Sequence, residues 1–176
     1  MQKQNITNSI VLKIFNEKDL IIDHKNLIDM FYKIAGGYNL GDMRETIDNI
    51  NGDIFLFDKK VFAFVLEQND EPISFAVFSK KSNHVVTLDV ICTDIEYSKL
   101  GFATILLRLS AIELKSQNIT HIIVDTKDQN EITEELLNSF SKVENVDTQK
   151  DEKQCRFDIK NMNDEKMLDD IKTMII

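Results

Sequence analysis

Apolar residues along the 176-residue chain recur with two periods, two and about 3.6, and the switches between them mark out the elements. Ile10, Val11, Leu12, Ile14 and Phe15 predict a first strand, after which Asn16 supplies a helix N-cap with Asp19 three residues on. Leu20, Leu27, Ile28, Phe31 and Ile34 then follow at helical spacing until Gly36-Gly37 stops them. A second, short helix is expected from Asp42, with Glu45 in the capping-box position, ending before Asn51-Gly52. Two runs rich in Phe and Val, 61–66 and 73–79, are separated by Gln68-Asn69-Asp70-Glu71-Pro72, which reads as a hairpin connection. Beyond Lys80-Lys81-Ser82-Asn83 lies another strand, 85–92, so three antiparallel strands in a row are expected.

The helical period returns at 103–115, where Ile105, Leu106, Leu109 and Ile112 share a face, and Ser116-Gln117-Asn118 breaks it. The apolar run 119–124, reached through that helix, should lie parallel to the 85–92 strand by a right-handed crossover. A helix at 131–140, opened by Asn130 or Thr133, turns Ile132, Leu136, Leu137 and Phe140 inward, and strands at 144–148 and 154–159 close the pattern. Met167, Leu168, Ile171, Met174 and Ile175 form a final stripe in 163–176. Such a stripe is expected to pack on its own domain, a homodimer contact being the alternative. No repeat, low-complexity tract or linker divides the chain, which reads as a single domain, 1–176.

The segment Thr93-Asp94-Ile95-Glu96-Tyr97-Ser98-Lys99-Leu100-Gly101-Phe102-Ala103-Thr104 joins a strand to a long amphipathic helix through a glycine-containing turn. A helix begun this way aims unpaired N–H groups and the positive end of its dipole at whatever sits over the turn, commonly a phosphate. Gly101 lets backbone approach a ligand closely, and small Ala103 keeps the first helical turn open. At these residues the chain resembles the GNAT N-acetyltransferase superfamily, whose acyl-coenzyme A loop reads Arg/Gln-x-x-Gly-x-Gly/Ala. Here the six positions are Ser98-Lys99-Leu100-Gly101-Phe102-Ala103, so the second half fits and the first residue does not. Thr93-Asp94-Ile95-Glu96-Tyr97 keeps the spacing and tyrosine of the preceding Val-x-Pro-x-Tyr without its Val and Pro. The order of elements over about 9–160 is also the family's.

The resemblance implies an α/β (α+β) GNAT fold: a mixed, mostly antiparallel seven-stranded sheet with helices on both faces, here with an extra C-terminal helix. It implies acetyl-CoA (coenzyme A) as the cofactor. Main-chain groups of Ile91, Cys92 and Thr93 would bond the pantetheine arm where two strands splay, and amides of Leu100, Gly101, Phe102, Ala103 and Thr104 would hold the diphosphate. Ser98 in place of Arg/Gln removes one charge-assisted contact, about 1.5–3 kcal/mol, which Lys99 partly replaces unless it is a solvated turn residue. Asn130 matches an asparagine that contacts the cofactor arm, its other role being a plain N-cap. Leu137 occupies the position of the tyrosine that protonates the departing thiolate, and nearby Phe140 also lacks a hydroxyl.

The implied reaction is N-acyl transfer to a primary amine of a small molecule or peptide, and it needs a base. Asp89, on the central strand and flanked by Leu88 and Val90, is the candidate; alternation groups it with Thr87 and Ile91, and the competing role is a solvent-facing strand residue. His84 and His121 are weaker candidates. Loss of the loop Arg/Gln and the tyrosine together motivates a second reading, an acyl-coenzyme A binding or regulatory module without turnover.

Charge narrows the partners. The net charge of −9 argues against nucleic acid. Residues 1–88 hold ten Lys/Arg against twelve Asp/Glu and residues 89–176 eleven against eighteen, an acidic bias that favours a cationic substrate or simply solubility. No apolar run reaches membrane-spanning length and the polar start, Met1 to Ser9, does not resemble a signal peptide, so a cytoplasmic protein without a membrane partner is expected. Cys92 and Cys155 have neither metal-ligand spacing nor a disulfide framework, and no metal is expected.

Overall fold

The computed structural model describes residues 1–7, 9–15, 17–36, 44–45, 47–49, 61–125, 131–151 and 154–175, with backbone only at 17–24 and 131–135. Its sheet has eight strands in the order β1-β2-β3-β4-β5-β6-β8-β7. These are β1 (Gln2–Asn5), β2 (Ile10–Phe15), β3 (Val61–Gln68), β4 (Glu71–Ser82), β5 (Val85–Thr93), β6 (His121–Asp125), β7 (Asp147–Lys150) and β8 (Gln154–Asp158). The pairing of β5 with β6 is parallel and the rest are antiparallel.

The strand beyond the expected seven is β1. All four of its side chains are exposed, so no alternation marks it in the sequence, and its backbone ladder to β2 defines it. The connection expected at 68–72 narrows to Asn69-Asp70, whose φ values of 52° and 65° suit a two-residue type I′ turn. Pro72 sits inside β4 opposite Glu67, at a register shift that accommodates its missing N–H.

Helices cover the sheet, among them α1 (Glu17–Ala35), α2 (Phe102–Ser116), α3 (Glu131–Ser141) and α4 (Asp164–Met174). On one face, Leu27, Phe31 and Ile34 of α1 pack with Val65, Phe75 and Val77, and the rings of Phe31 and Phe75 stack with centroids 4.0 Å apart. Ile47, helical as expected for the second short helix, joins this core, whereas Asp42 lies outside the described residues. On the other face, Leu106 and Leu109 of α2, Leu136, Leu137 and Phe140 of α3, and Met167 and Ile171 of α4 share one core with Leu12, Phe64, Phe78 and Leu88. Phe140 meets Phe157 edge to face at 5.0 Å. Burying these apolar faces is what pins the helices to the sheet.

The C-terminal stripe therefore packs on its own chain. Lys115 at the end of α2 donates to Met162 O at 2.6 Å and to Asp164 Oδ1 at 2.9 Å, which anchors the start of α4. From there α4 runs back along α2, so its last residue, Met174, reaches the turn at Gly101. Among the described residues no helix is long and apolar enough to cross a membrane.

Candidate active site

The two halves of β5 behave differently. Val85 to Leu88 pair with His121 to Val124 of β6, and there the ladder with β6 ends although β5 continues to Thr93. On its other side, β5 stays paired with β4 as far as Thr93, but Val77 pairs Val90 while Phe78 pairs Leu88, so β5 carries one extra residue, Asp89. That is a β-bulge, a feature that re-aims side chains and recurs beside active sites.

The bulge exchanges the faces of the strand. Val86 and Leu88 belong to the core under α2, but so does Ile91, while Val90 and Cys92 lie in the core under α1. The expected grouping of Thr87, Asp89 and Ile91 is thus corrected: Asp89 stays with Thr87, and Ile91 has crossed to the other side. Asp89 is exposed, as the solvent-facing alternative has it, and its carboxylate accepts a hydrogen bond from Ser79 Oγ on β4. Ser79 is buried and pairs with Thr87, whose Oγ1 is itself buried without a hydrogen-bond partner among the described residues. A polar patch of hydroxyls and one carboxylate therefore opens at the bulge on the α1 side.

Past the bulge, the Asp94 N–H bonds Ile73 O at 2.8 Å and Cys92 O accepts from Ser74 Oγ at 2.8 Å, so residues 92 and 94 turn their main chain toward β4. By alternation the main chains of Ile91 and Thr93 face the edge where β6 has diverged. Of the three residues expected to bond a pantetheine arm, the geometry presents Ile91 and Thr93, and it engages the Cys92 carbonyl elsewhere. Burial, and secondarily the Asp94 carboxylate, pushes the Cys92 thiol up to about 12, in keeping with a small inert hydrophobe.

Asp94 caps a short 3₁₀ turn, Ile95–Tyr97, by accepting from Glu96 N at 2.9 Å. Lys99 has a φ of 62° and Gly101 a φ of 86°, both left-handed, and this pair of bends brings the chain into α2. At Gly101 only a residue without Cβ adopts that conformation at no cost. No side chain caps this helix and its first turn holds no acidic residue, and the N–H of Ile105 is the one that reaches Gly101 O, at 3.0 Å. The amides of Phe102, Ala103 and Thr104 precede the first helical hydrogen bond and point off the helix end. Ser98, Phe102, Ala103 and Thr104 are half-buried there and Lys99 and Leu100 exposed, with Phe102 held edge to face against Tyr97 at 5.9 Å. This is the donor set an anion requires.

Other candidates fall away from this end. His84 and His121 lie at the opposite end of β5 and β6, where the His84 carbonyl accepts from the main chain of Thr120 and His121. Burial, then Arg156, lowers the His121 imidazole pKa against the opposing effect of Asp158. Leu137 and Phe140 are buried in the core under α3. Asn130 lies outside the described residues. Sequence reasoning passed over Ser79 and the bulge, because Val90-Ile91-Cys92 is continuously apolar and shows no break in period.

The sequence model of the "Acetyltransferase (GNAT) family" matches residues 26–140. No curated protein sequence matches. Among solved structures, the chain is similar to the PaiA N-acetyltransferase of Thermoplasma acidophilum in complex with coenzyme A, at 13% identity and a TM-score of 0.58 over 85% of this chain and 99% of that one. It is also similar to the ribosomal-protein-S18-alanine N-acetyltransferase of Escherichia coli, at 15% identity and a TM-score of 0.53 over 83% and 90% of the two chains. The yncA protein of Salmonella typhimurium, solved with its cofactor acetyl-CoA, aligns at 11% identity and a TM-score of 0.53 over 86% and 92%.

Proposed function

Because this chain belongs to the GNAT acetyltransferase family, whose co-substrate is acetyl-CoA, we propose that it acetylates a primary amine of a small molecule or peptide. The observation that carries the proposal is one juxtaposition. A helix start without a side-chain cap follows, through one short 3₁₀ turn, a strand that has lost its parallel neighbour, and the bulge on that strand presents a carboxylate.

In this reading the amides of Leu100, Gly101, Phe102, Ala103 and Thr104 cradle a diphosphate, and the main chains of Ile91 and Thr93 receive the pantetheine arm. Such backbone recognition survives the loss of a loop Arg/Gln at Ser98. Acetyl-CoA, when bound, supplies an activated acyl carbon. Asp89 takes the proton from the attacking amine, directly or through water, as the new N–C bond replaces the C–S bond, water returns a proton to the departing thiolate, and Ser79 Oγ holds the Asp89 carboxylate in position. A main-chain N–H of β5 beside the bulge polarises the thioester carbonyl. The acidic surplus of the second half of the chain favours a cationic acceptor, and neighbours of the same fold that act on proteins make a peptide amine as suitable as a small one. The whole of 1–176, α4 included, serves as one domain in this scheme.

Release of free thiol from acetyl-CoA with a panel of amines tests the proposal. Asp89→Asn should lower kcat by about 10²–10⁴-fold, the range of general base catalysis, and leave the affinity for coenzyme A unchanged. Undiminished turnover in that variant removes Asp89 from the mechanism.

A second reading has its own observation: Leu137 and Phe140 are both buried and neither carries a hydroxyl to protonate a thiolate. The chain would then hold acyl-coenzyme A without turnover, and tight binding with no thiol release on every amine would favour that module.

A further inference from the structure

Arg108 is the charged residue of α2 that its surroundings satisfy least. It lies between buried Leu107 and Leu109, and its guanidinium is folded into the space between α3 and α4. There Nη2 reaches Ser139 O at 3.5 Å, Nη1 reaches the sulfur of Met174 at 3.6 Å, and Nε is buried with no hydrogen-bond partner. A thioether is a weak acceptor, and a carbonyl at that distance adds little. The chain carries thirty Asp and Glu residues, yet among the described residues none pairs with this arginine. A part-buried guanidinium kept from carboxylates is costly unless an anion completes it.

Met174 tells where that anion would sit. Its Cε lies 3.4 Å from the position a Cβ would take on Gly101, and its Sδ is the atom that Nη1 of Arg108 touches. One side chain thus touches both the glycine turn that opens α2 and the guanidinium. Seven positions apart, Gly101 and Arg108 are two turns apart on one face of the helix. Met174 is the last residue of α4, 39% exposed, on a flexible side chain at a helix end, where a modest shift clears it.

Resting on the acetyl-CoA reading above, we propose that Arg108 is the cation that grips the phosphates of coenzyme A in this chain, and that Met174 shields it until the cofactor arrives. Arg108 then supplies from the helix what Ser98 does not supply from the loop. Its planar fork suits phosphate oxygens bidentately, which a lysine at the same place would not reproduce.

Calorimetric titration of the full chain with coenzyme A and, separately, with pantetheine tests this. In Arg108→Met the affinity for coenzyme A should fall by about ten- to a hundredfold, the worth of one charge-assisted contact, while pantetheine binds as before. Arg108→Lys should fall between, and it decides the matter if the methionine variant does not fold. Met174→Ala should tighten coenzyme A by a few-fold, since the ligand no longer displaces a packed side chain. Equal affinity of wild type and both Arg108 variants for coenzyme A overturns the proposal, as does a parallel loss for pantetheine, which would mean a structural role. An unchanged affinity in Met174→Ala overturns the shielding. A wild-type chain that binds no coenzyme A at all instead refutes the acetyl-CoA reading itself.

Discussion

The starts of α2 and α4 are built from the same backbone and finished in opposite ways. At α4, Asn163 is an extended N-cap whose Oδ1 accepts from Lys166 N at 3.1 Å, Asp164 and Glu165 complement the dipole in the first turn, and Asp164 also binds Lys115. At α2 the N-cap is a left-handed glycine with no side chain to offer, and no acid follows it. A chain that closes one helix end so fully has the residues to close the other. Leaving α2 open keeps several N–H groups and a half-charge of dipole available for something outside the protein, which is the physical meaning of an anion site.

That contrast can be broken most forcefully by Ala103→Glu, which puts into the first turn of α2 what α4 already has. Coenzyme A affinity should fall by a hundredfold or more, because a carboxylate now occupies the cradle and repels phosphate at several kcal/mol. Chemical denaturation should meanwhile show stability unchanged or raised by up to about 1 kcal/mol. Gly101→Ala is the intermediate case. The added methyl has room, meeting Met174 Cε at 3.4 Å, so the cost is the left-handed φ of 86°, about 1–2 kcal/mol in a denaturant melt. About a tenfold weaker binding of coenzyme A should accompany it as the turn relaxes. The smallest effect sharpens the comparison from the other side: Asn163→Ala should cost about 1 kcal/mol of stability and leave coenzyme A titrations unaltered. A shared loss of binding would mean the two helix ends are not independent.

Much of this architecture was legible because burial imposes periodicity. Leu27, Phe31 and Ile34, or Ile105, Leu106 and Leu109, must recur as they do if one helix face is to leave water, and those helices were placed to within a residue or so. The glycine turn was legible for a different reason, since Gly101 stands where the chain bends into α2 with a left-handed φ of 86°. Four things were not. β1 consists of Gln2, Lys3, Gln4 and Asn5, held by main-chain bonds that no side chain advertises. The bulge at Asp89 adds one residue to an apolar run, so the exchange of faces leaves no trace in hydropathy. β7 begins at Asp147, not near residue 144, because Val146 is buried in the approach to the strand and lent it a false start. The setting of Arg108 was equally hidden, because it depends on α3 and α4 arriving from distant sequence.

The two outermost strands, β1 and β7, are each four residues long with every side chain in water, and they read Gln-Lys-Gln-Asn and Asp-Thr-Gln-Lys. A sheet margin so short and so hydrophilic gives an incoming strand few hydrogen bonds and nothing to bury, the usual protection against unwanted growth. Self-association by continuing the sheet from one molecule into the next is therefore disfavoured at both rims. If two copies meet, they should do so through helices, and concentrated solutions should resist fibre formation even with no ligand bound.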